Sequence, residues 1–374
     1  MKKYKKRRNI DFLSILINLI IIAIIAGLAI FLYYCMSNDI EIKIAEFSDD
    51  FEITKIGTLE STTNIEMADV QNPLYSAEIS NQTPEETEKI GYYYNQIDDN
   101  AKIIYNALAE NEENLKTGNY TIEFGNKFNK LLNTENGTEQ LNSSYQQALD
   151  AFSLDKPEVF YIDISKMFLM IYSRKTILKT TYTVSIKSEE NSNYFSDGFN
   201  TQEEVKEAAK QVENVKLNLC NQLTGDNYNK IKQIHDCLVD NLQYEQTISK
   251  ANIRNIYGAL VTKEVVCEGY AKSFKYILDE LNIPNIIVVG KATNSSNQTE
   301  SHAWNYVYID GKWYAIDVTW DDPIVIGGGK LPEREKQKYF LKGSESFNIN
   351  HIATGKVSEN GLKFVYPELS LEDY

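Results

Sequence analysis

Cysteine, histidine and proline are all scarce in this chain. Four Cys in 374 residues are too few for a scaffold built on disulfides. Three His (His235, His302 and His351) cannot supply the ligand set of a metal-dependent phosphohydrolase, although His235 and Asp236 are adjacent. No close Cys-x-x-Cys or His-x-x-x-His pair occurs, so His235, Cys237, Cys267 and His302 lack the spacing of a zinc site. With 7 Pro and 18 Gly the chain is neither collagen-like nor low-complexity, and long elements joined by short turns are expected. Positive charge is the remaining shortage. The 38 Lys and Arg against 53 Asp and Glu leave a net charge of −15, which excludes a general nucleic-acid binder. The acids form no EF-hand-like loop, so no calcium requirement is read from them. The one glycine run, Gly327-Gly328-Gly329, lacks the following Lys-Ser/Thr and helix of a phosphate loop, and reads as a plain loop or a flap. No cofactor and no metal is therefore expected.

What remains is an ordinary globular composition, 43 % apolar and 24 % charged, long enough for two or three domains of about 100–200 residues. The few positive charges are unevenly placed. Lys2, Lys3, Lys5, Lys6, Arg7 and Arg8 crowd the start, and Asp11 is the one acid before residue 37. Phe12 to Met36 then runs with only Ser14 and Asn18 clearly polar. At about 1.5 Å per residue this run crosses a hydrocarbon core of about 30 Å. Basic flanks stay cytoplasmic, so residues 37–374 are expected outside the cytoplasm, at the cell membrane in single-pass topology. The apolar run exceeds a signal-peptide h-region, and Phe31, Tyr33 and Tyr34 stand where a peptidase needs small residues. The anchor is read as uncleaved, with the lipid bilayer as its partner.

The divisions that follow are a cytoplasmic tail 1–11, a transmembrane helix 12–36, a stalk 37–82, an α+β accessory region 83–200 and a catalytic domain 201–374. In the accessory region, Thr83-Pro84-Glu85-Glu86 reads as a helix start. Ile90, Tyr94, Ile97, Ala101, Ile104 and Leu108 continue one apolar face toward Gly118. A second helix is expected over 138–152, with strands over 159–164 and 178–187. The segment 83–190 holds no His and no Cys, so a packing or ligand-presenting role is the default there. From Thr201 a helix runs to about Leu223, breaks at Thr224-Gly225-Asp226 and resumes to about Leu242. The offset between Cys220 and Cys237 on its two arms is too large for a disulfide.

The chemistry gathers between 235 and 323. Cys267 opens a helix that runs to about Leu281, where the positive end of the helix dipole favours thiolate over thiol. Farther on, His302–Ile309 and Lys312–Trp320 alternate about Asp310-Gly311, the sequence of a two-residue hairpin turn. That turn sets the register: Ile309 faces Lys312, Trp304 faces Asp317 and His302 faces Thr319. His302 and Asp317 then share a face as diagonal neighbours about 7–8 Å apart. A carboxylate on one imidazole nitrogen fixes the tautomer and frees the other nitrogen to serve a thiolate. The pattern points to a Cys267–His302–Asp317 triad.

The same stretch resembles the core of the transglutaminase-like superfamily, a papain-like thiol fold. It is most similar to bacterial membrane-anchored members and to kyphoscoliosis-peptidase and cytokinesis-type relatives. The residues that carry the likeness are Ile234-His-Asp236, Tyr244, Asn255-Ile-Tyr-Gly-Ala-Leu260, Val266-Cys-Glu-Gly-Tyr-Ala271, Ile283, Gly290, His302-Ala-Trp-Asn305, Gly311-Lys-Trp-Tyr314 and Asp317-Val-Thr-Trp-Asp-Asp-Pro323, with Tyr339-Phe-Leu341 and His351 behind them. They span roughly 225–355. The resemblance implies an α+β fold in which the nucleophile helix packs on an antiparallel sheet, preceded by an α+β module and one transmembrane helix. It implies Cys267 as nucleophile, His302 as base and acid, and Asp317 as its orienting partner. The Cys267 backbone N–H is a natural oxyanion donor. Tyr257 is a candidate second donor, and Trp304 and Trp320 are candidate walls of the site. The expected activity is that of a cysteine peptidase or a protein-glutamine acyltransferase, acting on peptide, protein or cell-wall peptide amides. The competing reading is a catalytically silent binding or scaffold protein at the cell surface.

If residues 12–36 are an uncleaved anchor, the full chain should sediment with membranes and stay there through a high-salt wash. Recovery of a soluble form that begins near residue 37 would exclude the anchor.

Overall fold

A computed structural model describes residues 50–57, 91–176, 179–322, 332, 335–358 and 361–374 of the chain. Residues 51–174 and 179–374 form one unit, whose elements are described here. Among the described residues no helix is long and apolar enough to cross a membrane. The expected span 12–36, the stalk residues 58–82, the helix start at Thr83 and the triglycine run all lie outside them.

Two long helices, two single-turn helices (Glu112–Leu115 and Asn129–Leu132) and a sheet make up the described N-terminal part. Helix α1 (Asp99–Glu110) starts where the Asp98 carboxylate accepts from the Ala101 N–H at 2.8 Å. The apolar spacing had placed Tyr94 and Ile97 inside a helix already under way. Instead the Tyr93 and Tyr94 N–H groups are drawn onto the Asp155 carboxylate at 3.2 and 2.9 Å, and a 3₁₀ turn (Tyr94–Gln96) leads in. Ala101, Ile104 and Leu108 do form the buried face, packed against helix α2 (Gly137–Asp155). The strand expected over 159–164 shrinks to a single bridge between Ile162 and Phe195. Strands β1 (Asp50–Gly57), β2 (Ile122–Gly125), β3 (Phe168–Lys175) and β4 (Thr180–Lys187) form a sheet in the order β1-β3-β4-β2. Of these, β4 falls where a strand was expected, although Val184, Ser185 and Ile186 are buried in succession rather than in alternation, and β3 was not expected.

The helix pair follows its sequence signals closely. Helix α3 (Gln202–Cys220) opens on a capping box between Thr201 and Glu204. Helix α4 (Asn227–Asn241) is capped by Asp226, whose carboxylate accepts from the Asn229 N–H at 2.9 Å. Cys220 and Cys237 are free thiols.

The site rests on a second sheet, β10-β7-β8-β9, made of β7 (Asn285–Thr293), β8 (Thr299–Ile309), β9 (Lys312–Ile316) and β10 (His351–Ala353). All three of its pairings are antiparallel. Asp310 and Gly311 turn the hairpin with φ of 50° and 82°, the positive pair that a tight primed turn requires. The register follows from that turn, with Ile309 opposite Lys312 and Asn305 opposite Ile316. Strand β9 stops at Ile316, so Asp317 leaves the sheet as a turn begins. On its other edge His302 pairs with Gly290. Helix α5 (Cys267–Glu280) lies across β7 and β8. Asn305, buried on β8, donates from Nδ2 to the Ala271 carbonyl of α5 at 3.0 Å, which fixes the His302 strand against the Cys267 helix.

Gly290 lets β10 come close. A Cβ there would sit 2.1 Å from the Ile352 carbonyl oxygen and 2.6 Å from the Trp304 ring. Gly290→Ala should therefore cost about 1–3 kcal/mol through overpacking. Chemical denaturation reads that loss, and a variant as stable as the parent would contradict this packing.

Candidate active site

Cys267 is placed by two short strands. Strand β6 (Glu264–Val265) pairs in parallel with β5 (Gln243–Tyr244), Tyr244 standing opposite Val265. The Val266 N–H then donates to the Ile253 carbonyl at 2.9 Å, and the chain turns into α5 at the half-buried Cys267. The first N–H groups of a helix, here those at Cys267 and Glu268, have no carbonyl of the same helix to bond. They are ready donors for a negative oxygen formed in front of the sulfur.

His302 is buried between two indoles. Its ring centre lies 5.9 Å from that of Trp304 and 5.5 Å from that of Trp320. Its Nε2 bonds the Asp317 carboxylate Oδ2 at 2.7 Å, and Cys267 is near enough to influence its ionisation. With Nε2 committed to the acid, Nδ1 is the nitrogen left for the sulfur. Burial alone would hold the imidazolium down. The Asp317 charge and the Cys267 sulfur outweigh it and raise the His302 pKa well above its usual value. Asp317 has no solvent exposure. Burial pushes its pKa up, but His302 and His351 together hold it well below the ordinary carboxylate range. Its second oxygen, Oδ1, accepts from the Trp320 N–H at 3.1 Å.

Sequence reasoning left His351 without a role. Its Nε2 bonds the same Asp317 Oδ2 at 3.0 Å, from a strand that no local spacing links to the hairpin. His302, Asp317 and His351 are also the one group among the described residues with the donor types of a metal centre, their ligand atoms within 4.8 Å of one another. Both imidazole nitrogens converge on a single oxygen, however, which is the pattern of two N–H donors on one acceptor.

The turn after Asp317 is braced from below. The Asp321 N–H returns to the Asp317 carbonyl at 3.2 Å, and His235 Nε2 meets Asp321 Oδ2 at 3.1 Å. Tyr270 donates its hydroxyl to Asp322. The adjacent His235 and Asp236 bond each other at 3.0 Å and serve this brace.

Residues 218–318 match the family model described as the transglutaminase-like superfamily. This part of the chain belongs to that superfamily. Kyphoscoliosis peptidase from Mus musculus is 25 % identical over 138 residues, covering 34 % of this chain and 21 % of that protein. The Homo sapiens protein of the same name is 24 % identical over the same length, with the same coverage. The chain thus spans about a fifth of the length of these relatives. Among solved structures, a TGase superposes with a TM-score of 0.28 at 16 % identity, covering 43 % of this chain and 46 % of that one. The periplasmic domain of TgpA from Pseudomonas aeruginosa gives 0.24 at 10 % identity, covering 46 % and 73 %.

The remaining expected site residues divide. Trp304 and Trp320 lie beside the His302 ring. Tyr257 is placed elsewhere. It stacks on Phe160 at 6.0 Å and meets Phe199 edge-on at 5.3 Å, and none of its contacts reaches Cys267 or His302. Tyr244, opposite Val265 on β5, is the tyrosine that comes near Cys267. Its half-buried phenol is pushed up to about 12, first by burial and then by the neighbouring Cys267, with Glu300 adding and Arg254 opposing. Its hydroxyl has no hydrogen-bond partner among the described residues. The signal that could have found it is its place in the matching motif, one strand away from the cysteine.

Burial pushes the Cys220 and Cys237 thiols up, so neither is a nucleophile near neutrality. Iodoacetamide at pH 7 should modify Cys267 more than about tenfold faster than either. Peptide mapping that finds equal, slow labelling of all three would remove the case for an activated sulfur.

Proposed function

We propose that this chain is a membrane-anchored, extracytoplasmic thiol enzyme of the transglutaminase-like superfamily that acts on peptide or protein amides through Cys267, His302 and Asp317. The observation that carries the reading is the His302–Asp317 bond, made to a carboxylate with no solvent exposure, with the helix-starting Cys267 near enough to raise the pKa of the same imidazole. A surface protein with no chemistry to perform has no use for a buried ion pair aimed at a helix-starting cysteine. Support for amide chemistry comes also from the peptidase named among the relatives.

The reaction follows from the arrangement. The Cys267 thiolate attacks the amide carbonyl carbon, forming the C–S bond while the carbonyl electrons move to oxygen. The Cys267 N–H and the Tyr244 hydroxyl are the two donors for that oxyanion. Collapse breaks the C–N bond as the His302 imidazolium passes its proton to the leaving amine, which leaves a thioester on Cys267. Neutral His302 then takes a proton from the incoming acceptor. Water as acceptor gives hydrolysis, and a bound amine gives transamidation; either restores the thiolate and the imidazolium. Trp304 and Trp320 keep bulk water away from the ring. Residues 12–36 hold the enzyme at the bilayer, so its substrates are surface proteins or cell-wall peptides.

A screen of peptide libraries with a dye-labelled amine present reads both outcomes by mass spectrometry, as cleavage or as dye incorporation. Cys267→Ala should abolish both. Tyr244→Phe should lower kcat by about 10²–10³-fold, the usual cost of one oxyanion donor. Turnover that survives Cys267→Ala would overturn the proposal.

A further inference from the structure

His351 makes more contact with the catalytic line than packing requires. Its side chain is fully buried, and its ring stacks on Phe347 at 4.0 Å. Trp320 at 4.6 Å, Trp304 at 5.1 Å and Tyr339 at 5.4 Å enclose it. An aromatic box of this kind would accept a phenylalanine equally well. A histidine there has polar consequences on both sides of its ring. Nδ1 lies 2.8 Å from Asn350 Oδ1, and the Asn350 amide in turn reaches the Tyr339 hydroxyl at 3.0 Å. Nε2 reaches Asp317 Oδ2, the same oxygen that holds His302. The titratable groups that face His351 are Asp317, His302 and Tyr339; Phe347 and Asn350 offer it carbonyl oxygens, and the indoles of Trp304 and Trp320 carry no charge. His351 also lies outside the residues matched by the family model.

We infer that His351 is a positioning residue that shares the Asp317 carboxylate with His302 and so limits how tightly His302 holds its proton. The inference rests on the proposed thiol chemistry for its purpose, but its physics can be tested without a substrate. A neutral His351 ring has one N–H, and placed on Nε2 it is donated to Asp317. Nδ1 then accepts from the Asn350 amide turned to present its NH2, and the donated N–H takes up part of the carboxylate's charge. Less of that charge is left to hold the imidazolium, and the proton that His302 must deliver to a leaving amine becomes easier to give. The same bond, together with the Trp320 N–H on Oδ1, fixes the carboxylate plane toward His302. The carboxylate and the two imidazoles then titrate as one coupled set.

Two measurements on the full chain decide the matter. With only three His in the sequence, ¹⁵N-histidine NMR resolves each ring. His302 and His351 should each show a hydrogen-bonded proton on Nε2. An Nε2 on His351 that carries no proton overturns the inference in the unmodified protein. The second measurement is the pH dependence of Cys267 alkylation by iodoacetamide, whose upper inflection reports loss of the His302 proton. His351→Phe fills the box without a donor and should move that inflection up by about half to one pH unit, the equivalent of one ordinary hydrogen bond. His351→Gln restores an N–H donor and should return the inflection toward the parent value. If the inflection stays put in His351→Phe, or shifts equally in both variants, His351 serves packing alone. Cys267 alkylation with no upper inflection in the parent protein would instead count against the triad itself.

Discussion

A carboxylate held without any exposure to water is costly unless its lone pairs are answered. Asp317 is answered three times, by His302 and His351 on one oxygen and by the Trp320 N–H on the other. That satisfied, buried charge is the constraint on which the site depends. It can stay ionised there only while its donors stay in place, and they come from β8, from β10 and from the turn that follows β9. Each of these must therefore be located to within a hydrogen bond, and the surrounding structure is arranged to do so.

The location is achieved by a few specific ties. Asn305 fixes β8 to α5 one turn in from Cys267, so the histidine strand and the cysteine helix cannot slide past each other. Gly290 removes the side chain that would hold β10 away from β7. The His235–Asp321 bond, continued by the Tyr339 N–H onto Asp321 at 2.8 Å, holds the turn after Asp317 from beneath. Burial raises the Asp321 carboxyl to about 6, so this brace is itself a site where burial and ionisation are balanced. Such buried networks are strong only when every member is satisfied.

The chain's remaining parts serve the site at longer range. The N-terminal helices and the first sheet carry none of its chemistry, but they are tied to its scaffold. The Tyr93 hydroxyl donates to the Ile287 carbonyl on β7, and the Tyr92 hydroxyl to that of Val365 at 2.8 Å. Asp155 draws together the backbone of Tyr93 and Tyr94 and the hydroxyl of Tyr105. The site sheet therefore rests on the N-terminal helices as well as on α5.

Much of the site was legible because its signals are local. A two-residue turn sets a hairpin register, and the register set which residues oppose each other from Asn305–Ile316 down to the turn. A helix start is marked by the residues around it, which put Cys267 at the first position of α5. The helix expected across Tyr94 and Ile97 failed because Asp155, some sixty positions on, competes for those backbone N–H groups. Tyr257 misled for a related reason: an aromatic ring beside a motif packs on whatever rings the fold brings to it, here Phe160 and Phe199. What the sequence determined, then, were faces, caps and turns, because 3.6- and 2-residue periods and turn chemistry act over a few neighbours. Only the tertiary structure decided that a second imidazole shares the Asp317 oxygen and that Tyr244 is brought opposite Val265, near Cys267. The first depends on a strand 34 residues beyond Asp317 and the second on a parallel pairing of two-residue strands, and no local period encodes either.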